Sequence, residues 1–309
     1  MTLTLGTQFD QGLFRFCPLC KGNSYELFTA TDENQRINQL SFDYLKCSEC
    51  HAVFLDNPPA DLGIYYQRDY YAIPPLVKLK QIARSDRNKI DTVLRFANGG
   101  RLLEVGPAFG VFAWQAKDAG FIVNVIEMDP RCCEYLEDTL GVNVTNSDNP
   151  SVAMQDLPQH DVIAIWHVLE HLSKPLEFLR AAAANLKPGG VLAISMPNPD
   201  AWQFKVMNLH WPHLDAPRHL TLIPEAWLTG HAGLLGLERV YLTSDDRDAR
   251  SWNRFGWQRL LINRFDSKHL KRVMYVLGYA LSVLMAPFDR RSFCGSAYTI
   301  VFKKNSPLQ

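Results

Sequence analysis

Hydrophobic and polar positions follow different rhythms in different parts of the chain. Up to residue 73 the apolar positions come in short runs. Phe42 and Tyr44 alternate with polar neighbours, and Ala52-Val53-Phe54-Leu55 is a brief apolar run. Both predict short strands. Asn57-Pro58-Pro59 breaks the chain, an aromatic cluster at Tyr65-Tyr66 and Tyr70-Tyr71 follows, and Pro74-Pro75 marks a boundary. Over 76–98 the rhythm becomes helical, with Leu79, Ile82, Ile90, Val93, Leu94 and Phe96 on one face of one predicted helix. Gly99-Gly100 ends it.

From 101 onward the two rhythms alternate. Strands are predicted at 102–105, 122–126, 142–144, 162–166, 191–195, 238–242 and 297–302. Helices are predicted at 109–119, 130–140, 175–186 and from Pro224 to 235. Such alternation predicts an α/β fold, a doubly wound sheet with helices on both faces. The expected parts are 1–73, a linker helix within 74–100, and 101–309 carrying a helical insertion at 244–296.

Composition narrows the function. The chain has 309 residues, with 32 Lys+Arg against 32 Asp+Glu and 47% hydrophobic residues. Zero formal charge argues against a general nucleic-acid partner. The start has no charged region followed by an apolar run and cleavage site, so a cytoplasmic, reducing location is expected. The longest apolar stretch, 273–288, is 16 residues broken by Pro287, short of the roughly 20 a spanning helix needs.

The most informative motif is Glu104-Val105-Gly106-Pro107-Ala108-Phe109-Gly110, set between a predicted strand and helix. Glycine suits a backbone that must turn sharply beneath a ligand. Glu127 ends the next strand 21 residues after Gly106, the place for a carboxylate that accepts ribose hydroxyls. A dinucleotide fingerprint would need glycine at 108 and 111, where Ala108 and Val111 stand, and a Walker loop would need Lys after Gly110. What remains is a nucleoside without pyrophosphate. Glu104 adds an acid suited to a cationic amino-acid tail.

These residues, with Glu127-Met128-Asp129-Pro130, His160-Asp161-Val162-Ile163 and Leu186-Lys187-Pro188-Gly189-Gly190, resemble the class I S-adenosylmethionine-dependent methyltransferases over roughly 75–243 and the last strand. The resemblance implies a Rossmann-like sheet with an antiparallel last strand and S-adenosylmethionine as cofactor. It implies that Gly106 and Gly110 pass under the cofactor, Glu127 holds the ribose, Met128 lies against the adenine and Asp148 faces its amino group. Ala108 departs from the middle glycine of many members.

His167-Val168-Leu169-Glu170-His171 contains His-x-x-Glu-His, an inverted zinc-protease pattern that needs a helix interior. Here it follows a strand and stops at Ser173-Lys174-Pro175, so it is a corner. It is similar to the motif after the fourth strand in quinone O-methyltransferases, some of which bind a divalent metal through that Glu-His pair and another acid. His167 stands where they carry the acid. The simpler reading is that Glu170 and His171 brace the corner by hydrogen bonds to backbone, leaving His167 to face the acceptor.

After the fifth strand, Trp211-Pro212-His213-Leu214-Asp215-Ala216-Pro217-Arg218-His219 occupies a loop at the carboxyl end of the sheet, where ligands bind. Methyl transfer is direct displacement, so alignment dominates and a base matters only if the attacking atom loses a proton. His219, then His213 or His167, are the candidate bases. Arg218 either binds an anionic part of the acceptor or pairs with Asp215. The acceptor is a small molecule, glycan or lipid, methylated on oxygen or carbon, with sugar nucleotides and glycolipids among the alternatives. A rival is a non-catalytic zinc-ribbon adaptor with a vestigial cofactor domain.

Cys17-Pro18-Leu19-Cys20 and Cys47-Ser48-Glu49-Cys50, 26 residues apart, read as a zinc ribbon with four thiolates around a structural ion. The long gap leaves room for an extra strand. Sugar C-methyltransferases have a similar module but continue into a further C-terminal domain. Cys132, Cys133 and Cys294 are expected as free thiols. In the insertion, Lys268, Lys271, Arg272, Arg290 and Arg291 flank the apolar stretch, so 268–291 is a candidate for contact with an anionic membrane surface, a core helix, a dimer contact or an acceptor lid. The oligomeric state is left open.

Overall fold

The structure, a computed structural model, describes residues 15–66 and 71–306, so Tyr70 of the aromatic cluster lies outside the described residues. In chain order the strands are β1 (Ser24–Thr31), β2 (Ser41–Cys47), β3 (Val53–Leu55), β4 (Arg101–Val105), β5 (Ile122–Glu127), β6 (Asn143–Asn146), β7 (His160–Trp166), β8 (Leu186–Pro197), β9 (Thr221–Leu222), β10 (Leu237–Thr243) and β11 (Ala297–Lys304).

Seven of them form the main sheet in the order β10-β11-β8-β7-β4-β5-β6. Strands β8, β7, β4, β5 and β6 run parallel, and β11 lies antiparallel between β8 and β10, the predicted arrangement. The central strands are apolar on both faces because helices cover both. Along β7, Ile163 and Ile165 face one core with Phe178 and Leu179 of helix Pro175–Asn185. Val162 and Ala164 face the other core with Phe112 and Ala116 of helix Val111–Asp118. The chain leaves β4 toward β5 on one side, while β7 returns on the other. The loops after β4 and β7 therefore flank the switch point where a doubly wound sheet binds ligands.

Strands β1, β2 and β3 form a second, antiparallel sheet that β9 completes. Phe28, Tyr44 and Tyr65 from this N-terminal part share one core with Trp211, Leu214 and Trp257. The loop carrying His213 and His219 is thus built into the sheet that follows the first cysteine pair.

Three elements differ from the predicted ones. The helix expected over 76–98 is two helices, Leu76–Ser85 and Asn88–Val93. Asp86 is extended between them, and the buried Gln115 amide donates to the carbonyls of Ala83 and Asp86, which a continuous helix would have used internally. The helix over 130–140 widens into a π turn at Leu136–Leu140, closed by left-handed Gly141. Strand β8 starts five residues before its predicted start at 191 and absorbs Gly189-Gly190 at a register shift.

The insertion is two packed helices, Arg247–Ile262 and Lys268–Asp289. Gly278 allows the close approach: a Cβ there would stand 2.6 Å from Gln258 Cα. Among the described residues, no helix is long and apolar enough to cross a membrane.

Candidate active site

A cleft of about 730 Å³ opens at the carboxyl ends of β4, β5 and β7. Gly106, Glu127, Met128 and Asp148 line one part of it, and His167, His213 and His219 line another. Seven residues singled out from sequence therefore meet in one space. Glu104, Gly110 and Arg218 do not line it.

Gly106 has φ +69°, and a Cβ there would lie 2.5 Å from Val168, which lines the same cleft. Ala108 adopts φ +51°, a left-handed conformation, and its amide donates to Glu127 Oε2 at 3.0 Å. The other Glu127 oxygen accepts from the amides of Met128 and Asp129 at 2.8 and 2.9 Å. Burial raises the Glu127 pKa, and these three amides oppose that shift. The carboxylate is thus fixed at the cleft wall, with about one lone-pair site on Oε2 left for a hydroxyl donor.

Glu104 lies beneath, 3% exposed, with Oε2 lacking any hydrogen-bond partner. Burial pushes it up to about 8, and Glu127 adds to the rise while Lys89 opposes it. An orphaned acid behind the Gly106 loop fits a cationic ligand group. Gly110 is needed for packing. At φ +82° it caps helix Val111–Asp118, and a Cβ would stand 2.5 Å from Leu136 and 2.6 Å from Leu140.

The three candidate histidines differ in protonation and tautomer. His167 Nε2 lies 2.9 Å from Asp248 Oδ2, and its Nδ1 lies 3.7 Å from Glu170. Burial pulls its pKa down, but the two carboxylates outweigh burial and raise it to about 9. It is an imidazolium at neutral pH and cannot accept a proton there. His213 is lowered to about 3 by burial, and its Nε2 donates to the Trp252 carbonyl at 3.0 Å. Its own carbonyl accepts from His219 Nδ1 at 2.8 Å. That bond fixes the His219 tautomer and leaves Nε2 as a bare lone pair. Burial, then His171, lower His219 to about 4, so it is neutral at pH 7.

Behind His219 stands Glu170, completely buried, its nearer oxygen 3.9 Å from His219 Nε2. Neither Glu170 oxygen has a hydrogen-bond partner. The expected bracing of the corner therefore holds only for His171, whose Nδ1 meets the Arg218 carbonyl and the Tyr66 hydroxyl at 2.9 Å each. Glu170 serves the histidines instead. Ligand atoms of Glu170, His171 and His219 lie within 4.8 Å of one another, so these three could also hold a cation. The motif is a single tight turn, Leu169–His171, after β7, as a corner rather than a protease helix requires.

Arg218 is 1% exposed and does not line the cleft. Its guanidinium binds Asp215 through Nε and Nη2, at 2.8 Å each, and Asp32 at 2.7 and 3.2 Å. Burial disfavours the cation, but the two carboxylates hold it charged. Of its two expected roles, pairing with Asp215 is the one the geometry uses. The second carboxylate, from the N-terminal sheet 186 residues away, was not visible in sequence. Replacing Asp32 with alanine leaves a buried cation half compensated. The expected loss is about 3 kcal/mol of stability, against nearly none for breaking the exposed Lys174–Glu177 pair. Denaturant unfolding of the two variants measures both.

The N-terminal part and the insertion also supply wall residues. Asn34 and Gln35 line the cleft, and Asn34 Nδ2 donates to Pro212 O at 2.7 Å and Asp215 Oδ1 at 2.6 Å. Trp252, Phe255 and Arg259 come from helix Arg247–Ile262. Asp248 of that helix had no signal in sequence, because only the fold brings it to His167.

The Sγ atoms of Cys17, Cys20, Cys47 and Cys50 lie within 4.8 Å of one another, with Cys17–Cys50 at 3.5 Å and Cys20–Cys47 at 3.4 Å. Four thiolates about 2.3 Å from one ion stand about 3.8 Å apart, so the set fits a tetrahedral cation. Amides of Gly22, Glu49 and Cys50 point at Cys20 and Cys47 sulfurs at 3.4 Å. Lys21 and His51, each following a cysteine pair, both turn left-handed at φ +65° and +61°. Burial pushes the Cys17 thiol up to about 11, which a bound cation would reverse. Cys132, Cys133 and Cys294 are free.

The model of the methyltransferase domain family matches residues 80–242, just over half the chain. The chain belongs to that family. Among curated proteins it is 28% identical over 120 residues to the ubiquinone biosynthesis O-methyltransferase of Xanthomonas campestris, covering 37% of this chain and 50% of that protein. Against the protein of the same name from Vibrio vulnificus it is 26% identical over 145 residues, covering 44% and 60%. The chain thus spans about half the length of the curated relatives it matches. A SAM-dependent methyltransferase structure from Archaeoglobus fulgidus aligns with 75% of this chain and 100% of its own, at 19% identity and a TM-score of 0.47.

Proposed function

We propose that this methyltransferase-family protein methylates an oxygen of a small-molecule acceptor, with S-adenosylmethionine as donor and His219 as base. The observation that carries the reading is the pairing, in one cleft, of the amide-fixed Glu127 carboxylate with the bare Nε2 of His219. Glu127 would hold the ribose hydroxyls, Met128 and Asp148 the adenine end, and Glu104, buried behind the cleft wall, would attract the cationic tail through its charge. The bound cofactor supplies an electrophilic methyl on a sulfonium. His219 Nε2 takes the acceptor's hydroxyl proton, and buried Glu170 stabilises the imidazolium so formed. His213 positions His219, while charged His167 and Asp248 set the local field. The relatives named above methylate in ubiquinone biosynthesis, which supports a hydroxyl acceptor. The experiment is incubation with methyl-labelled S-adenosylmethionine and a small-molecule extract. Label is expected in an extractable product, and its appearance only in macromolecules would refute the reading.

A second reading rests on the two unpartnered Glu170 oxygens. A divalent cation on Glu170, His171 and His219 would activate the hydroxyl instead of a free base. Chelator treatment mild enough to leave zinc on the four cysteines separates them: unchanged turnover supports the base, and loss restored by added Mg²⁺ supports the cation.

Glu104 yields a pH dependence. Burial raises its pKa to about 8, whereas a ligand ammonium in the neighbouring cleft would favour the carboxylate. Cofactor binding then releases a proton, so affinity is expected to climb from about pH 6 to about pH 8 and level off above. Glu104→Gln should flatten that slope in calorimetric titrations. We further infer that the four cysteines hold a structural zinc.

A further inference from the structure

Helix Lys268–Asp289 turns a face of large apolar side chains outward. Gly278, Ser282 and Asp289 are buried on its inner side, and Leu281 and Met285 pack against the core that holds Phe28, Tyr44 and Trp257. Opposite them stand Val273, Val276, Leu277, Ala280, Val283 and Leu284, at helical spacing over three turns. Val276 is 64% and Leu284 66% exposed. An ordinary soluble surface scatters such residues singly rather than in a stripe.

The charge around the stripe selects the occupant. Between 268 and 291 there are five Lys or Arg, and the only acid, Asp289, is buried. Lys268, Lys271 and Arg272 sit at one end of the stripe, and Arg291 at the other beside Arg290, which also pairs with Asp245 at 3.0 Å. A second copy of the helix meets cation with cation in either direction: antiparallel pairing sets 268–272 against 290–291, and parallel pairing sets each end against itself. An anionic lipid surface accepts both ends together with the apolar side chains between them. At 22 residues the helix is about 33 Å long, and it does not meet the requirements for spanning, so the geometry is that of a helix lying in the interface.

We propose that Lys268–Asp289 binds the surface of an anionic membrane, with Val273, Val276, Leu277, Val283 and Leu284 entering the acyl boundary and the flanking Lys and Arg side chains at the headgroups. Its inner face rests on helix Arg247–Ile262, whose Trp252, Phe255 and Arg259 line the cleft. Bound lipid would therefore lie about one helix layer, roughly 10 Å, behind the cleft wall.

Co-sedimentation of the full chain with vesicles of phosphatidylcholine plus phosphatidylglycerol, and of phosphatidylcholine alone, tests this. Binding is expected to the anionic vesicles, weakening with salt, and to be at least about tenfold weaker without phosphatidylglycerol. The double variant Val276→Glu, Val283→Glu should lose at least about tenfold in vesicle affinity. Both positions are exposed, so it should unfold at the wild-type temperature. A protein that stays in the supernatant overturns the proposal, and light scattering that finds a dimer broken by the double variant would give the stripe to a second copy. Vesicle binding undiminished in the double variant overturns the assignment to this helix.

Discussion

His219→Ala is expected to lower methyl transfer into the labelled product by about 10²–10⁴-fold while leaving S-adenosylmethionine affinity within about twofold of wild type. The argument rests on which nitrogen is available. His213 O holds the Nδ1 proton at 2.8 Å, so the lone pair on Nε2 is the free one, and the nearest charge to it is the Glu170 carboxylate at 3.9 Å. Because burial and His171 lower His219 to about 4, its Nε2 stays unprotonated throughout the neutral range. A base of that pKa is weak, so proton transfer must accompany methyl transfer, with Glu170 stabilising the imidazolium formed. The activity controlled by His219 should therefore be level from about pH 6 to about pH 8 and fall only as pH drops toward 4. An ordinary imidazole would lose it near 6.5. Unchanged turnover of His219→Ala across pH would remove it from the mechanism. His167→Ala should act differently: with His167 raised to about 9 by Asp248 and Glu170, its removal disturbs those acids rather than deleting a base.

Removing one cysteine ligand is expected to have the largest effect on stability. Cys47→Ser should cost most of the zinc binding energy, which runs to about 10–16 kcal/mol in small zinc modules, and unfold the N-terminal sheet. The damage should spread to the cleft, because β9 pairs with β3, Tyr44 donates to the His219 carbonyl at 3.1 Å, and Asp32 holds Arg218. Acceptor methylation is then expected to vanish while the seven-stranded sheet still unfolds cooperatively at higher temperature. Zinc analysis together with a two-step thermal scan checks this. A variant with full zinc content, or with one unaltered transition, would contradict a structural zinc centre.

Much of the Glu127 side of the cleft was legible because its residues are local in the chain. Glu104, Gly106 and Ala108 belong to one strand-loop-helix passage, and Glu127 ends the neighbouring parallel strand, so spacing alone places them together. The cysteine pairs are local for the same reason. The acceptor side depends on residues that only tertiary register unites. Asp248 meets His167 across 81 residues, Asp32 meets Arg218 across 186, and Tyr44 meets His219 across 175. No periodicity carries those pairs. The two-residue strand β9 was unreadable as a strand because its role comes from its partner β3, not from its own pattern. Gly110 is required for packing as well: Leu136 and Leu140 leave no room for a Cβ there, which the loop motif alone did not reveal.

The central claim is that the cleft between Gly106 and His219 is a working cofactor site. Its most direct test is calorimetric titration of the zinc-loaded protein with S-adenosylmethionine, alongside Glu127→Ala. Saturable one-to-one binding by the wild type is expected, weakened by about 10- to 100-fold in Glu127→Ala through loss of charge-assisted bonds to the ribose. No heat of binding to a folded wild-type protein would contradict the account and leave a zinc-ribbon adaptor with a vestigial domain.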